Sequence, residues 1–175
     1  AQPGDEWVFY EIDPLVIEIA NSNFSYLART SARTETILGD ARLQLEVEPD
    51  QKFDVLVIDA FSGDSVPIHL LTREAFAQYF RHLKADGVLA VHITNRFLDL
   101  QPVVKVAAEQ FGKDVRLVDF EGDRRRQVFR SRWALISADP AFFAHPQLAQ
   151  AKPIATRPGF KAWQDDYSSI FAILM

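Results

Sequence analysis

Short apolar runs of strand character alternate along the chain with longer segments whose apolar residues recur every three or four positions. Trp7-Val8-Phe9-Tyr10-Glu11-Ile12 reads as a strand closed by Asp13-Pro14. Pro14 suits the first turn of a following helix, where its missing N–H costs little, and Val16, Ile17 and Ala20 give that helix an apolar face. Thr34 to Leu38 is a second short strand, ended by Gly39-Asp40, and Arg42 to Val47 a brief helix. Phe53-Asp54-Val55-Leu56-Val57-Ile58-Asp59 is the clearest strand. Its near-continuous aliphatic run predicts burial on both faces, as in the middle of a parallel sheet.

A loop from Ala60 to Leu71 holds Gly63 and Pro67. Thr72 is a good N-cap for a helix through Leu83, with Ala75, Phe76, Tyr79, Phe80 and Leu83 at helical spacing. This aromatic cluster reads as helix core, not as a cofactor box. Asp86-Gly87 turns into a buried strand, Val88 to Ile93, and Asp99 caps a helix to Phe111 that Gly112 stops. Val115 to Phe120 and Trp133 to Ser137 read as a C-terminal hairpin around the polar segment from Glu121 to Ser131. The tail, residues 138–175, is Pro-rich and irregular as far as Trp163. Strand–helix alternation at this spacing predicts a mainly parallel sheet with helices on both faces, in one domain over residues 1–175.

Composition narrows the chemistry. The chain has 175 residues, of which 48% are hydrophobic, which is enough for one full core. A net charge of −5 argues against a broad basic surface for nucleic acid and suits a cationic substrate. Arg124, Arg125 and Arg126 form a local basic cluster that reads as a solvated hairpin. With no cysteine, disulfides, cysteine–zinc sites and thiol nucleophiles are excluded, and a cytoplasmic address is expected. No apolar run approaches the roughly 20 residues that span a bilayer, and Ala1 to Glu6 lacks a signal-peptide pattern. His69, His82, His92 and His145 make no metal-ligand spacing, so no metal is expected; His82 reads as a solvated helix residue. Ser62 lacks the flanking glycines of a hydrolase elbow.

Ligands of open parallel sheets bind beyond the carboxyl ends of the strands, so the residues that end each strand matter most. The first strand ends in Glu11 and Asp13, the second in Asp40, the third in Asp59, with Asp64 in the loop beyond. Aspartate is common at such ends because it makes turns and caps, which explains each carboxylate singly but the set less well. A carboxylate accepts hydrogen bonds and donates none, matching a ribose diol; Glu11 is the candidate, with Asp13 the alternative. Asp40 could accept from an exocyclic adenine amine, and Asp59 and Asp64 could hold a cationic amine or take its proton. His92 ends a strand facing the crevice and is a candidate substrate contact; a core or capping role competes.

Three pieces in order, Tyr10-Glu11-Ile12-Asp13-Pro14-Leu15-Val16, Gly39-Asp40-Ala41, and Phe53-Asp54-Val55 leading to Ile58-Asp59, resemble the spermidine synthase (polyamine aminopropyltransferase) family. The stretch from Asp59 to Thr72 and the segment Trp163-Gln164-Asp165-Asp166-Tyr167-Ser168 are similar to bacterial spermidine-synthase-like proteins, some of them fused to a transporter-like membrane region. The resemblance implies a Rossmann-like S-adenosylmethionine-dependent methyltransferase fold, here without the Gly-rich loop and first strand that the family carries before the Glu11 strand. It implies that Glu11 binds the ribose and that Asp40, with Ala41 beside it, contacts the adenine. By the same likeness Asp59 is the base that deprotonates the attacking amine, and Asp64 holds that amine. The co-substrate would be decarboxylated S-adenosylmethionine, or S-adenosylmethionine itself, and the acceptor an amine such as putrescine. His92 stands where the family usually has Gln. A methyltransferase and a non-catalytic ligand-sensing domain of a transporter-like protein are the alternatives, with a homo-oligomer and an upstream membrane region left open.

Overall fold

In a computed structural model, residues 1–60 and 65–175 are described, in two compact units, Ala1–Pro49 and Asp50–Met175. The first unit is a two-stranded parallel sheet with three helices. Strand β1 (Glu6–Glu11) pairs in parallel with β2 (Arg33–Leu38), running in register from Glu6 opposite Arg33 to Glu11 opposite Leu38. Helix α1 (Pro14–Asn23) follows β1, with Pro14 in its first turn and the Asp13 carboxylate accepting from the Leu15 N–H at 2.8 Å. A short α2 (Tyr26–Arg29) leads into β2, and α3 (Ala41–Val47) follows it, capped by Asp40 through the Leu43 N–H at 3.1 Å. Leu45 is fully buried. The Tyr10 hydroxyl donates to Glu48 at 2.7 Å; burial first, then that bond, push its pKa up.

The second unit carries a five-stranded sheet in the order β3-β4-β6-β5-β7. Strand β3 (Phe53–Ile58) lies parallel to β4 (Leu83–His92), and β6 (Ser131–Ser137) enters antiparallel between β4 and β5 (Asp114–Phe120). The expected hairpin therefore forms. A two-residue β7 (Lys152–Pro153) adds an edge to β5 within the tail read as irregular. Helix α4 (Arg73–His82) connects β3 to β4, α5 (Gln101–Gln110) connects β4 to β5, and α6 (Pro140–Phe143) follows β6. The core comprises Phe76 and Tyr79 of α4, Val103, Val104 and Ala107 of α5, and inward residues of the strands such as Leu56, Leu89, Val91, Val115 and Ile136. Phe76 and Tyr79 are thus core, as their spacing requires, while Phe80 of the same cluster is half-buried.

Three local expectations are corrected. Strand β3 is not buried on both faces: Leu56 and Ile58 are buried, but Val55 and Val57 are 56% and 50% exposed. Among the described residues β3 pairs only with β4, and its alternate side chains point away from the covered face. His82 is not solvated but 0% exposed; its Nδ1 accepts from the Gln51 N–H at 3.3 Å and its ring stacks on Phe53. Asp86-Gly87 does not precede the strand but lies inside β4, where the register slips between Phe53 and Val55 of the partner strand.

The tail signature is a turn that clamps the start of α4. The backbones of Gln164 and Tyr167 exchange hydrogen bonds at 2.7 and 3.0 Å. The Arg73 N–H donates to the Trp163 carbonyl at 2.8 Å, and the Thr72 hydroxyl, the N-cap of α4, donates to Asp165 at 2.8 Å. Trp163 itself is fully buried. Among the described residues no helix is long and apolar enough to cross a membrane.

Candidate functional site

In the first unit, parallel pairing brings two acidic strand ends together. Glu11 closes β1 opposite Leu38, and the next residue, Gly39, donates its N–H to the Glu11 carbonyl at 2.9 Å. Gly39 does this at φ +148°, in the range that favours glycine, and so delivers Asp40 to the start of α3 beside the Glu11 strand end. Each acid has a local structural duty. Glu11 Oε1 accepts from the Asp13 N–H at 2.9 Å, and Asp13 and Asp40 cap helices. A carboxylate has about four acceptor positions, so these single bonds leave Glu11 and Asp13 capacity for a diol. Ala41 is the first residue of α3, adjacent to the cap.

In the second unit the register of β3 and β4 does the same for Asp59 and His92. Ile58 pairs with Val91, so the next residue on each strand stands at the same carboxyl edge. Asp59 Oδ1 and His92 Nδ1 are 2.7 Å apart, with the His92 side chain 23% exposed and that of Asp59 54%. His92 Nε2 lies 2.6 Å from the Thr94 hydroxyl, which also accepts from the Arg132 N–H at 2.8 Å. On the neighbouring strand Trp133 pairs with His92 and stacks on it, ring centres 4.8 Å apart and planes 22° from parallel. The Trp133 indole N–H donates to Ser131 at 2.8 Å, fixing that ring in turn. Behind this group Asp119 bonds Arg130 and Arg132 at 3.0 and 3.1 Å. Burial raises the Asp119 carboxyl, but the two guanidiniums outweigh burial and hold it below the usual carboxylate range.

Chemically, the first unit presents acceptors suited to hydroxyl or amine donors. The second presents a half-exposed carboxylate held by an oriented imidazole, suited to binding or deprotonating a cation. Asp64 lies outside the described residues. Among the described residues no group of three His, Asp or Glu side chains is placed to hold a metal ion. Arg124 to Arg126 form an exposed single turn in the β5–β6 connection, capped by Asp123. Sequence reasoning named Asp59 and His92 separately but missed their contact, together with Thr94 and the stacked Trp133. Thr94, two residues beyond His92 on the same chain, was the one legible signal.

The chain is 37% identical over 92 residues to a polyamine aminopropyltransferase of Vibrio vulnificus, a match covering 51% of this chain and 30% of that protein. In fold it is similar to a probable spermidine synthase from Corynebacterium glutamicum, with a TM-score of 0.65 at 17% identity, over 93% of this chain and 64% of the other. It is also similar to human methyltransferase-like protein 13 in complex with SAH, with a TM-score of 0.59 at 18% identity, over 76% of this chain and 61% of that one. The chain thus spans less than two thirds of the length of each of these relatives. No protein-family model matches it. The chain has the α/β, Rossmann-like fold shared by spermidine synthases and S-adenosylmethionine-type methyltransferases, and half of its sequence is related to that of a polyamine aminopropyltransferase.

Proposed function

We propose that this chain is part of an aminopropyltransferase that moves an aminopropyl group from decarboxylated S-adenosylmethionine to an amine such as putrescine. The observation that carries the proposal is the Asp59 carboxylate, placed at the carboxyl edge of β3 and held at 2.7 Å by His92. An ammonium has no lone pair, so it cannot attack the carbon beside a sulfonium until a base takes a proton. In this reading Asp59 takes that proton. The freed nitrogen lone pair forms the new N–C bond while the C–S bond breaks towards sulfur, leaving a neutral thioether. Asp64 would hold the amine. In the first unit Glu11, with Asp13 near it, would accept from the ribose hydroxyls, and Asp40 with Ala41 would meet the adenine edge. The relation to the Vibrio aminopropyltransferase favours this reading over others on the same fold.

The likeness to a methyltransferase in complex with SAH supports a second reading, methyl transfer from intact S-adenosylmethionine. Calorimetric titration of the full-length protein with each sulfonium, followed by product analysis, separates the two. The aminopropyl reading expects preference for the decarboxylated form and amine-dependent turnover that Asp59→Asn lowers by about 100-fold or more. Preference for the intact form would replace it with methyl transfer. Binding of neither would leave a fold without this chemistry, as a ligand-sensing domain on another signal would have.

A further inference from the structure

The C-terminal tail frames a cavity of about 270 Å³ that shares no residue with the Asp59–His92 group. Part of its wall is the turn from Arg157 to Phe160, where the Phe160 N–H donates to the Arg157 carbonyl at 3.1 Å and Gly159 takes φ +75°. Another part comes from the tail between Tyr167 and Ala172. The Arg157 guanidinium ties the two together, its Nη1 donating to the Ala172 carbonyl at 2.7 Å. Trp163, 1% exposed, closes the cavity on the core side. The polar side chains of the lining are donors. Arg157 has Nε and Nη2 left over, Lys161 makes no ion pair, and the hydroxyls of Tyr167 and Ser169 make no hydrogen bond among the described residues. The Trp163 indole N–H is buried and likewise without a partner there. No carboxylate lines the cavity, and Asp165 of the adjoining turn accepts from the Thr72 hydroxyl at 2.8 Å.

We infer that this cavity binds a dianionic phosphate group, free or carried on a small organic molecule, between the Arg157 guanidinium and the Lys161 ammonium. The Tyr167 and Ser169 hydroxyls donate to its remaining oxygens. A guanidinium already fixed through one nitrogen presents its other edge as a fork, which a pair of phosphate oxygens meets with two parallel hydrogen bonds. Lys161 adds a second positive charge with no acid in the lining to neutralise it, so a doubly charged oxyanion is favoured over a singly charged one. The cavity is larger than a phosphate group alone requires, and Phe160 gives an organic body an apolar surface to lie on. The inference does not rest on the aminopropyl reading and stands or falls without it. Trp163 links the site to the start of α4, because its carbonyl holds the Arg73 N–H at 2.8 Å, so occupancy stabilises the docked tail.

Calorimetric titration of the full-length protein with inorganic phosphate and with phenyl phosphate tests this, at about pH 8, where both are chiefly dianions. Each should bind saturably at one site. Lys161→Ala and Arg157→Ala should each weaken binding by at least about tenfold, one lost charge-assisted contact. Arg157→Lys keeps the charge but loses the fork, and should recover little of that affinity. Arg125→Ala removes an exposed cation from the β5–β6 connection and should change nothing. Phosphate at about 100 times its Kd should raise Tm, and a tenfold weaker Lys161→Ala should show about half that rise at the same concentration. Tighter binding of phenyl phosphate would identify a phosphate ester as the ligand, and equal binding inorganic phosphate itself; both bear the inference out. Arg157→Ala also gives up the bond to Ala172, so if it does not fold, Lys161→Ala decides, since it removes no ion pair among the described residues. No saturable binding of either phosphate below about 10 mM would overturn the inference. So would an affinity that Lys161→Ala leaves within about twofold, an equal loss in Arg125→Ala, or succinate bound as tightly as phosphate.

Discussion

Replacing Thr72 by Ala should unfasten the C-terminal tail from helix α4. The Thr72 hydroxyl oxygen accepts from the Ala75 N–H at 3.3 Å, and its hydrogen goes to Asp165 at 2.8 Å, across 93 positions of sequence. The residue is 1% exposed, so water cannot replace either partner in the folded state. Loss of an N-cap costs about 1 kcal/mol. Loss of a hydrogen bond to a charged group costs about 1.5–2 kcal/mol. Together they give about 2.5–3 kcal/mol, which for a chain of this size lowers Tm by roughly 5–10 °C. Trp163, buried beside the clamp with its carbonyl on the Arg73 N–H, reports the loss as a red shift in fluorescence during urea unfolding. Thr72→Ser keeps both bonds and should stay within about 1 kcal/mol of wild type. A double-mutant cycle with Asp165→Ala should show coupling of about 1–2 kcal/mol. A loss below about 0.5 kcal/mol in Thr72→Ala, or coupling indistinguishable from zero, would refute the clamp.

Three further outcomes follow from the other sites. Asp119 has a folded-state pKa below its unfolded value, so the stability it contributes is present above about pH 4 and is lost as pH falls through the folded value. Asp119→Asn should flatten that acid limb of a Tm-against-pH curve while leaving its alkaline side unchanged in shape. Leu45→Ala empties a fully buried position of the first unit and should cost about 2–5 kcal/mol, measured by chemical denaturation. Glu11→Ala should weaken binding of the sulfonium nucleotide by at least about tenfold, one lost charge-assisted contact, read by calorimetry, while loss of its exposed bond to the Asp13 N–H lowers Tm by only a few degrees.

Strands and caps were legible because their signals are local. Aliphatic runs mark β3 and β4, and the side chains of Asp13, Asp40 and Thr72 cap the helices whose starts they announce, whereas Asp99, expected to cap the helix to Phe111, does not: α5 starts after Leu100 without a side-chain cap. The pairing of Asp59 with His92 was not legible, because it depends on the register between strands separated by a helix, which no short-range pattern encodes. Trp133 reaches His92 only because the chain turns back and inserts β6 beside β4. His82 was misread for a different reason. Its place three residues after Tyr79 and six after Phe76 puts it on the core face of α4, and position outweighed the polarity of the side chain. The burial of β3 was overestimated because an aliphatic run records what a strand can cover, not which neighbours it has in the described residues.

The placement of β6 between β4 and β5 sets the order in which the chain can be assembled. Leu89 of β4 pairs with Ile136, so the middle of the sheet waits for residues made 47 positions later, and β5 has no sheet partner from the preceding chain until then. During synthesis β4 and β5 both emerge with an open edge, the condition under which strands pair with the wrong chain. A truncation between about residues 121 and 131, after β5 and before β6, would make that transient state permanent. It would leave two apolar edges where the complete chain has one continuous sheet, and its signature would be aggregation before any loss of ligand binding could be measured.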